Sequence, residues 1–594
     1  MLRRTRVTTV LGGEILARML QAEGVEKVFG IIDGTYFGFY SSLHRLGIEI
    51  VTPRHESSAA HMAGAYARLT GRLGVCMASN GPGVANLLPG LVVEQGEGNR
   101  VLAITSARRP GIMYPDRGGA YQCFDQVGVI GRIAKWSAAV SAADRLPELT
   151  RKALRKCFEG RPGVVHLDVP ETIMNGKLAS LPEIRPPATY RRQSPLEPSR
   201  VDVDAAARLL REAAAPMIHA GSGVIHADAF DALRRVAERL HAPVTTSWAA
   251  RGVLSERSPL AIPMPHVELN HLVRNDADVV LIVGSRVGET DWWGRPPYWR
   301  DPAAQRTIQV DIDGEMIGLN KPVELGVVAD AKRFLELLAD ALEQAAPTSS
   351  ATATVGESRL AARRARVAAY GKRIVSDRAG WDKALADIAV PMHPAQIAST
   401  CRALFPPESV LVADGGNAAI WTMFHHRMDV PNTLLSTFKF GMLGAGPGQA
   451  IGAAVARPGQ PVCCIIGDGA MGFHPQEIET AVRVGARVIF LVMVDRQWGM
   501  VKMNQQFMLR PIKTMLFKHL DADETIKADL GEIRWDDLAR SMGAHGERVA
   551  AAAALRPAIE RALASGGVAV VHVDVDPVKH MWAPGLLHFK KMHE

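Results

Sequence analysis

The stretch Val462-Cys-Cys-Ile-Ile-Gly-Asp-Gly469 and the apolar run Val488-Ile-Phe-Leu-Val-Met-Val494 decide the fold. Both have the length of a buried strand, and the residues between them, 475–484, have the composition of a helix. A strand, a helix and a second strand in this order predict a β-α-β unit with parallel strands. Because open α/β sheets bind ligands outside the carboxyl ends of their strands, we expect Asp468 and Asp495 to lie together at a ligand-binding edge.

Asp468 and Asp495 are the candidate metal ligands of this unit. Mg²⁺ prefers oxygen ligands and is commonly held by one or two carboxylates together with phosphate oxygens. Gly467 and Gly469 allow the backbone to approach a phosphate closely and to donate N–H groups at the start of a helix. The stretch by itself fits an ordinary Asp-Gly turn equally well, so other features of the sequence must decide between the two interpretations.

Strand-like and helical segments alternate along the whole chain, which predicts parallel sheets covered by helices. A chain of 594 residues is too long for one hydrophobic core. Two segments have the composition of connectors, residues 186–198 and residues 345–358. We therefore predict an α/β fold of three doubly wound parallel-sheet domains, at 1–190, 191–358 and 359–576, with a tail at 577–594.

The composition excludes several classes of function. Hydrophobic residues make up 47% of the chain and charged residues 22%, as in ordinary globular proteins. The net charge of +8 is not gathered into a basic run, so we expect no nucleic-acid partner. No apolar run approaches the roughly 20 residues of a spanning helix, so we expect no membrane partner. The six cysteines form no CxxC pair, which predicts a cytoplasmic protein without a zinc site or a disulfide framework.

A second informative stretch is Pro53-Arg-His-Glu-Ser-Ser-Ala-Ala-His-Met-Ala-Gly-Ala-Tyr-Ala-Arg68, followed by Gly74-Val-Cys-Met-Ala-Ser-Asn-Gly-Pro-Gly-Val-Ala-Asn86. It predicts a strand end, a helix, a second strand and a tight glycine turn. These motifs resemble the pyrimidine-binding domain of thiamine-diphosphate-dependent enzymes of the acetolactate synthase, benzaldehyde lyase and 2-hydroxyacyl-CoA lyase family. The segment from Val462 to Asp495 resembles the metal motif of the same family. Asp468 and position 495 have the spacing of 27 residues that this motif requires. The three domains would then be pyrimidine-binding, central and diphosphate-binding.

This resemblance implies a role for each matching residue. Glu56 would be the catalytic acid that shares a proton with the pyrimidine ring of the cofactor, and Gln122 would donate to the substrate's carbonyl oxygen as it becomes negative. The ligands of Mg²⁺ would be Asp468, Asp495 and the main-chain carbonyl of Gln497. The remaining cofactor contacts would come from Pro82, Asn417, Leu443, Gly467, Gly469, Ala470, Gln497, Gly499 and Met500.

Three positions depart from the family pattern. The family usually has an Asn pair where this chain has Val494-Asp495, and the aspartate adds a negative charge beside the diphosphate. Cys123 replaces a glutamate next to Gln122, and Asn504 replaces the tryptophan with which acetolactate synthases select their acceptor. We therefore expect a donor or an acceptor that differs from those of acetolactate synthase.

By resemblance, the function is that of a thiamine-diphosphate- and Mg²⁺-dependent lyase or carboligase acting on a 2-oxo acid or a related small carbonyl substrate. The alternatives are a 2-hydroxyacyl-CoA lyase or a decarboxylase of acyl-CoA type, and a catalytically silent regulatory homologue. The family builds its site between subunits, which predicts a homodimer or a homotetramer. The sequence leaves open whether FAD or ADP binds the central domain, and whether the tail is a lid over the active site or a subunit contact.

Overall fold

Three parallel sheets follow one another along the protein, whose computed structural model describes residues 9–113, 117–344 and 350–585. The N-terminal sheet has the order β3-β2-β4-β5-β7-β6, and a short antiparallel pair, β1-β8, lies beside it. The N-terminal elements are β1 Val10–Leu11, α1 Gly12–Ala22, β2 Lys27–Gly30, α2 Phe37–Arg45, β3 Glu49–Val51, α3 Glu56–Thr70, β4 Gly74–Ala78, α4 Pro82–Glu97, β5 Val101–Ala107, α5 Pro110–Met113, α6 Gln126–Gly131, β6 Trp136–Ala139, α7 Leu146–Phe158, β7 Val164–Pro170, α8 Glu171–Met174 and β8 Lys177–Leu178.

The central sheet is five-stranded and has the order β10-β9-β11-β12-β13. Its elements are α9 Arg200–Glu212, β9 Pro216–Ala220, α10 Gly223–His226, α11 Phe230–Leu240, β10 Val244–Thr246, α12 Val267–Asp276, β11 Val279–Val283, β12 Arg306–Asp311, β13 Leu325–Val328, α13 Ala331–Gln344 and α14 Ser350–Asp382. Residues 345–349 of the predicted connector lie outside the described residues, and the rest of that connector belongs to α14.

The C-terminal sheet is six-stranded and has the order β15-β14-β16-β17-β19-β18. Its elements are α15 Ala395–Leu404, β14 Leu411–Asp414, α16 Asn417–His425, β15 Leu434–Ser436, α17 Ala445–Ala456, β16 Val462–Gly467, α18 Asp468–Met471, α19 Glu477–Arg483, β17 Val488–Val494, α20 Gly499–Leu509, α21 Pro511–Phe517, α22 Trp535–Ser541, β18 His545–Val549, α23 Ala552–Ala564, β19 Ala569–Asp574 and α24 Pro577–Met581.

The two end sheets have the same topology. In each sheet, the second strand along the chain forms one edge and pairs with the first. The third and fourth strands lie on the opposite side of the first strand, and the fifth strand forms the opposite edge of the sheet. The third strands are β4 and β16, and each is followed by a glycine turn that begins a helix. Every residue of β17 is buried, because helices cover both faces of a parallel sheet.

Helices α3 and α17 join the two end domains of the chain. The small residues of α17 allow a close approach, since a Cβ added at Gly452 would lie 2.5 Å from the carbonyl oxygen of Met62. Apolar residues of both sheets, among them Phe29 of β2 and Phe490 of β17, belong to one continuous core. The two end domains are therefore packed directly on each other.

The predicted architecture of three doubly wound parallel-sheet domains is confirmed. The exact limits of the domains stay predictions, because α14 runs across position 358 and its Arg363 donates to the carbonyls of Leu240 and Leu210 in the central domain. Of the predicted tail, residues 586–594 lie outside the described residues. Within the described ranges, no helix has the length and the apolar character needed to cross a membrane.

Candidate active site

A cavity of about 530 Å³ lies at the carboxyl edge of the C-terminal sheet. The turns that follow β14, β16 and β17 line it, so it lies where the direction of chain crossing reverses between β14 and β16, as expected for a ligand site of an open α/β sheet. All the site residues predicted for this domain line the cavity: Asn417, Leu443, Gly467, Asp468, Gly469, Ala470, Asp495, Gln497, Gly499 and Met500.

Asp468 is a buried carboxylate held by main-chain donors. Its Oδ1 accepts from the N–H of Gly469 at 2.8 Å, and its Oδ2 accepts from the N–H of Arg496 at 2.9 Å. Burial raises the pKa of Asp468 to about 7, and the nearby negative charge of Asp495 adds to the increase. A cation between these two groups would relieve both effects.

Asp495 is the second buried carboxylate of the cavity. Its Oδ2 accepts from Nδ1 of His580 at 2.6 Å and from Nε2 of Gln497 at 3.2 Å, whereas its Oδ1 accepts only a long bond of 3.3 Å from the N–H of Gln497. Within the described ranges, no three or more His, Cys, Asp and Glu side chains gather as a metal site. A cation here would therefore need main-chain or phosphate oxygens besides the two aspartates.

The remaining lining fits a diphosphate. Both polar atoms of the Asn417 side-chain amide are buried and have no hydrogen-bond partner among the described residues, so the amide is available to bind a ligand. Two positions of the lining have no room for a side chain. A Cβ at Gly469 would lie 2.8 Å from Cζ3 of Trp498, and a Cβ at Gly499 would lie 2.5 Å from Nδ2 of Asn417. The carboxylates, the amide and the glycine turns thus match an Mg²⁺-diphosphate group.

Asp414 holds the loop that carries Leu443. Its Oδ2 accepts from the N–H of Gly444 at 2.9 Å and from the N–H of Gly446 at 2.7 Å. Gly444 has φ of +85°, and a Cβ there would lie 2.4 Å from Cβ of Phe473, so a larger residue would displace the loop. Leu443 is thereby held at the wall of the cavity.

The pyrimidine-binding residues predicted in the N-terminal domain form a separate group. Glu56 is the first residue of α3, is 9% exposed and accepts from Nδ2 of Asn86 at 3.1 Å. A Cβ added at Gly83, next to the exposed Pro82, would lie 3.4 Å from Oε1 of Glu56. Glu56 and the glycine turn after β4 are therefore neighbours.

Gln122 belongs to the same group. Its main-chain carbonyl accepts from Nδ2 of Asn80 at 2.8 Å, and a Cβ at Gly81 would lie 2.7 Å from that carbonyl oxygen. Gln122 has φ of +52°, a conformation that costs energy in a residue other than glycine, and its side chain is exposed. The strained backbone presents the amide at the surface beside the turn.

We refer to Glu56, Pro82 and Gln122 as the pyrimidine half-site, and to the cavity residues around Asp468 as the diphosphate half-site. No residue of the pyrimidine half-site is among the described residues that line the cavity. One chain therefore carries both halves without bringing them together.

Some lining residues were missed at the level of sequence. His580 of α24 contacts Asp495, and Trp248 and Thr290 of the central domain complete the wall. The only signal for His580 was indirect, since an aspartate in place of the usual asparagine needs a hydrogen-bond donor nearby. No motif marks Trp248, because this residue lies in the central domain and the motifs of the cavity lie in the C-terminal domain.

A larger cavity, of about 830 Å³, lies between the N-terminal and central domains. Gly223 and Gly284 of the central sheet line it together with Arg100, Arg155 and Arg191. Gly223 and Gly284 approach so closely that a Cβ on Gly284 would lie 2.5 Å from Cα of Gly223. This cavity has room for a ligand, and whether FAD or ADP binds the central domain stays open.

In a comparison with known proteins, each of the three domains matches a family description. The family description "Thiamine pyrophosphate enzyme, N-terminal TPP binding domain" matches residues 11–129, "central domain" matches 203–338, and "C-terminal TPP binding domain" matches 414–573. The chain is 29% identical over 582 residues to an acetolactate synthase large subunit of Mycobacterium tuberculosis, covering 96% of each protein.

Two further relatives span most of the chain. A sulfoacetaldehyde acetyltransferase of Alcaligenes xylosoxydans xylosoxydans is 29% identical over 574 residues, which cover 91% of this chain and 88% of the relative. The acetolactate synthase large subunit of Haemophilus influenzae is 26% identical over 577 residues, which cover 96% and 95%. The three family matches, together with these full-length relatives, show that the chain belongs to the thiamine pyrophosphate enzymes and is a thiamine-diphosphate-dependent enzyme of the acetolactate synthase type.

Proposed function

We propose that the protein is a Mg²⁺- and thiamine-diphosphate-dependent lyase or carboligase that makes or breaks a C–C bond next to the carbonyl of a small 2-oxo acid or related substrate. One observation carries the proposal: the buried carboxylates of Asp468 and Asp495 share a cavity with the unpartnered amide of Asn417. Bound thiamine diphosphate supplies a nucleophilic carbon and an electron sink for such reactions.

The diphosphate half-site would anchor the cofactor. Asp468, Asp495 and the main-chain carbonyl of Gln497 would hold Mg²⁺, which favours such hard oxygen ligands. Asn417 and the turn at Gly469 would donate to the diphosphate oxygens. Leu443, held by the loop that Asp414 fixes, would support the bent cofactor from the opposite wall.

The pyrimidine half-site would supply the proton chemistry. Glu56 is buried and, within the part of the chain that the structure describes, accepts one side-chain hydrogen bond, from Asn86, so one carboxyl oxygen is left to share a proton with a ring nitrogen. Gln122 would donate its amide N–H to the substrate's carbonyl oxygen as negative charge develops there. For both groups to act on one cofactor, the two half-sites must come from two chains, so we propose a homodimer or homotetramer.

The relatives support acetolactate synthase-like chemistry, and the departures at Cys123 and Asn504 support a different donor or acceptor. The sulfoacetaldehyde acetyltransferases among the relatives make acyl transfer from a substituted aldehyde a second candidate. A 2-hydroxyacyl-CoA lyase is the third. A silent homologue is the weakest alternative, since Glu56, Asp468 and Asp495 are all present.

The test is to reconstitute the protein with Mg²⁺ and thiamine diphosphate and to supply 2-oxo acids, sulfoacetaldehyde and 2-hydroxyacyl-CoA thioesters in separate reactions. We expect release of CO₂ or a carboligation product from at least one 2-oxo acid, and loss of that product when Mg²⁺ is chelated. Turnover of only the aldehyde or only the thioester would favour the corresponding alternative. A protein that binds thiamine diphosphate and turns over none of these substrates would contradict the proposal.

A further inference from the structure

His580 of α24 is the one imidazole in contact with the carboxylates of the diphosphate half-site among the described residues. Its Nδ1 lies 2.6 Å from Oδ2 of Asp495, and both side chains are almost fully buried, with 4% and 3% of their surface exposed. The contact connects two residues that are 85 positions apart in the chain. It therefore depends on how the C-terminal helix packs against the sheet.

The chemistry of this contact follows from the aspartate. An asparagine at position 495 would offer one oxygen to a cation and one NH₂ group to an acceptor, whereas an aspartate offers two acceptor oxygens and no donor. The second oxygen of a buried carboxylate needs a donor of its own, because an unpaired buried acceptor is costly. Nδ1 of His580 is that donor, and Nε2 of Gln497 adds a weaker bond to the same oxygen.

The hydrogen bonds distinguish the two oxygens of Asp495. Among the described residues, Oδ2 receives both side-chain donors, whereas Oδ1 receives only the long main-chain bond of 3.3 Å from Gln497. Oδ1 is thus the oxygen with coordination capacity left. The carboxylate is oriented before any ligand binds.

The main chain of the helix that carries His580 is held by several hydrogen bonds. The indole Nε1 of Trp421 donates to the main-chain carbonyl of His580 at 2.9 Å, and Nε2 of Gln497 donates to the carbonyl of Pro577 at 2.8 Å. The side chain of Asp576 caps α24 by accepting from the N–H groups of Val578 and Lys579, each at 3.0 Å. Both ends of α24 are therefore hydrogen-bonded to elements that line the cofactor cavity.

We propose that His580 is a positioning residue of the metal site, which fixes the Asp495 carboxylate so that Oδ1 faces the cation. The inference rests on the proposed Mg²⁺ site. Residues that orient a metal ligand typically change metal affinity by about 10- to 100-fold when they are removed. Asp495 and His580 then act as a matched pair that replaces the asparagine of related enzymes.

The experiment is a calorimetric titration of the full-length protein with Mg²⁺ at saturating thiamine diphosphate, for wild type, His580→Leu and His580→Asn. We expect His580→Leu to weaken Mg²⁺ binding by about 10- to 100-fold. His580→Asn keeps an N–H donor close to the position of Nδ1, so we expect it to retain most of the affinity. The matched control is His425→Leu, since His425 is also buried and packs on Trp421 without contacting Asp495.

A second readout separates positioning from folding. We expect the metal-free thermal unfolding midpoints of the Leu and Asn variants to lie close together, while their Mg²⁺ affinities differ. If His580→Leu bound Mg²⁺ as tightly as wild type, the inference would be overturned and the metal site would stand. Equal losses of Mg²⁺ affinity in the Leu and Asn variants would have the same meaning. Failure of wild type itself to bind Mg²⁺ with thiamine diphosphate would overturn the metal site as well.

Discussion

The two end domains share one strand order but place different residues at the same edge of the sheet. In the N-terminal domain, the turn after the third strand contains Gly81-Pro82-Gly83 and lies beside Glu56; the N–H of Gly81 donates to Oε1 of Gln126, and Nδ2 of Asn86 donates to Glu56. In the C-terminal domain, the corresponding turn contains Asp468-Gly469 and faces a cavity with an unpartnered amide and two repelling carboxylates. In the proposed site, one topology would supply a proton-transfer group in one domain and a metal anchor in the other, depending on the residues that follow the strands.

The comparison also shows what a single chain lacks. The helices α3 and α17 follow the second strand of their respective sheets and pack against each other, yet Glu56 does not reach the cavity. The two halves of the proposed site are complementary but separate.

The largest effect is expected from Glu56→Gln. The amide keeps the shape of the side chain but cannot share a proton with the pyrimidine, so we expect turnover to fall by about 10²- to 10⁴-fold. Binding of thiamine diphosphate should be nearly unchanged, because the diphosphate half-site is intact. Steady-state kinetics and a cofactor titration check the two statements, with the exposed Glu183→Gln as control. A fully active Glu56→Gln enzyme would remove Glu56 from the catalytic role.

Asp468→Asn should affect the other half. Removing one of two carboxylates from the metal site should weaken Mg²⁺ binding by at least about 10-fold. In wild type, Mg²⁺ with thiamine diphosphate at about 100 times the dissociation constant should stabilise the fold by about 2.7 kcal/mol, and this gain should shrink in the variant. Thermal unfolding with and without Mg²⁺ measures the difference. An unchanged gain would exclude Asp468 as a ligand.

Asp414→Asn tests whether the neighbouring carboxylate has a structural role instead. Asp414 is buried, and its Oδ2 accepts hydrogen bonds from two main-chain N–H groups. An amide NH₂ at the same place could accept neither of these bonds. We expect the free energy of unfolding to fall by about 1–3 kcal/mol. Chemical denaturation of the metal-free protein is the measurement. A loss of Mg²⁺ affinity without a loss of stability would instead place Asp414 among the ligands.

Asp168 is a buried carboxylate of β7 in the N-terminal domain. Its Oδ1 accepts from Thr105 and Gln126, and the main-chain N–H of Gly81 in turn donates to Gln126. Burial raises the pKa of Asp168 from 3.8 to about 7. Because the folded state binds this proton more tightly, its contribution to stability is complete below about pH 4 and is lost as the pH rises through about 7.

Asp168→Asn mimics the neutral acid and should remove this dependence on pH. We expect the variant to gain on the order of 1–3 kcal/mol relative to wild type between about pH 4 and about pH 8. Denaturation at a series of pH values gives the difference directly. A constant difference between the two proteins over this range would contradict the assignment of the raised pKa to Asp168.

The sequence predicted those features that depend on local pattern. The run at 488–494 is continuous and apolar, and it forms β17 with the same limits. Residues 227–240 have the composition of a helix, but α11 begins only at Phe230, because Asp228 has φ of +51° and interrupts it. That interruption follows from tertiary packing, which the helical composition of the segment does not reveal.

The site was predictable where a motif carries it and hidden where packing carries it. Asp468 and Asp495 follow strands of one β-α-β unit, so their proximity follows from topology. The contact between Asp495 and His580, and the place of Trp248 in the wall, depend on how separate elements meet. The distance between Glu56 and the cavity likewise depends on how α3 packs against α17, and no motif encodes it.

The most direct measurement mixes two inactive proteins. Glu56→Gln and Asp468→Asn subunits are combined, dissociated and reassembled, and turnover is compared with each variant by itself. If each site takes Glu56 from one chain and Asp468 from another, half of the dimers are mixed and one of their two sites is intact. The mixture should then recover about a quarter of wild-type turnover. No recovery, from subunits shown to have exchanged, would mean that both groups act within one chain and would contradict a site shared between subunits.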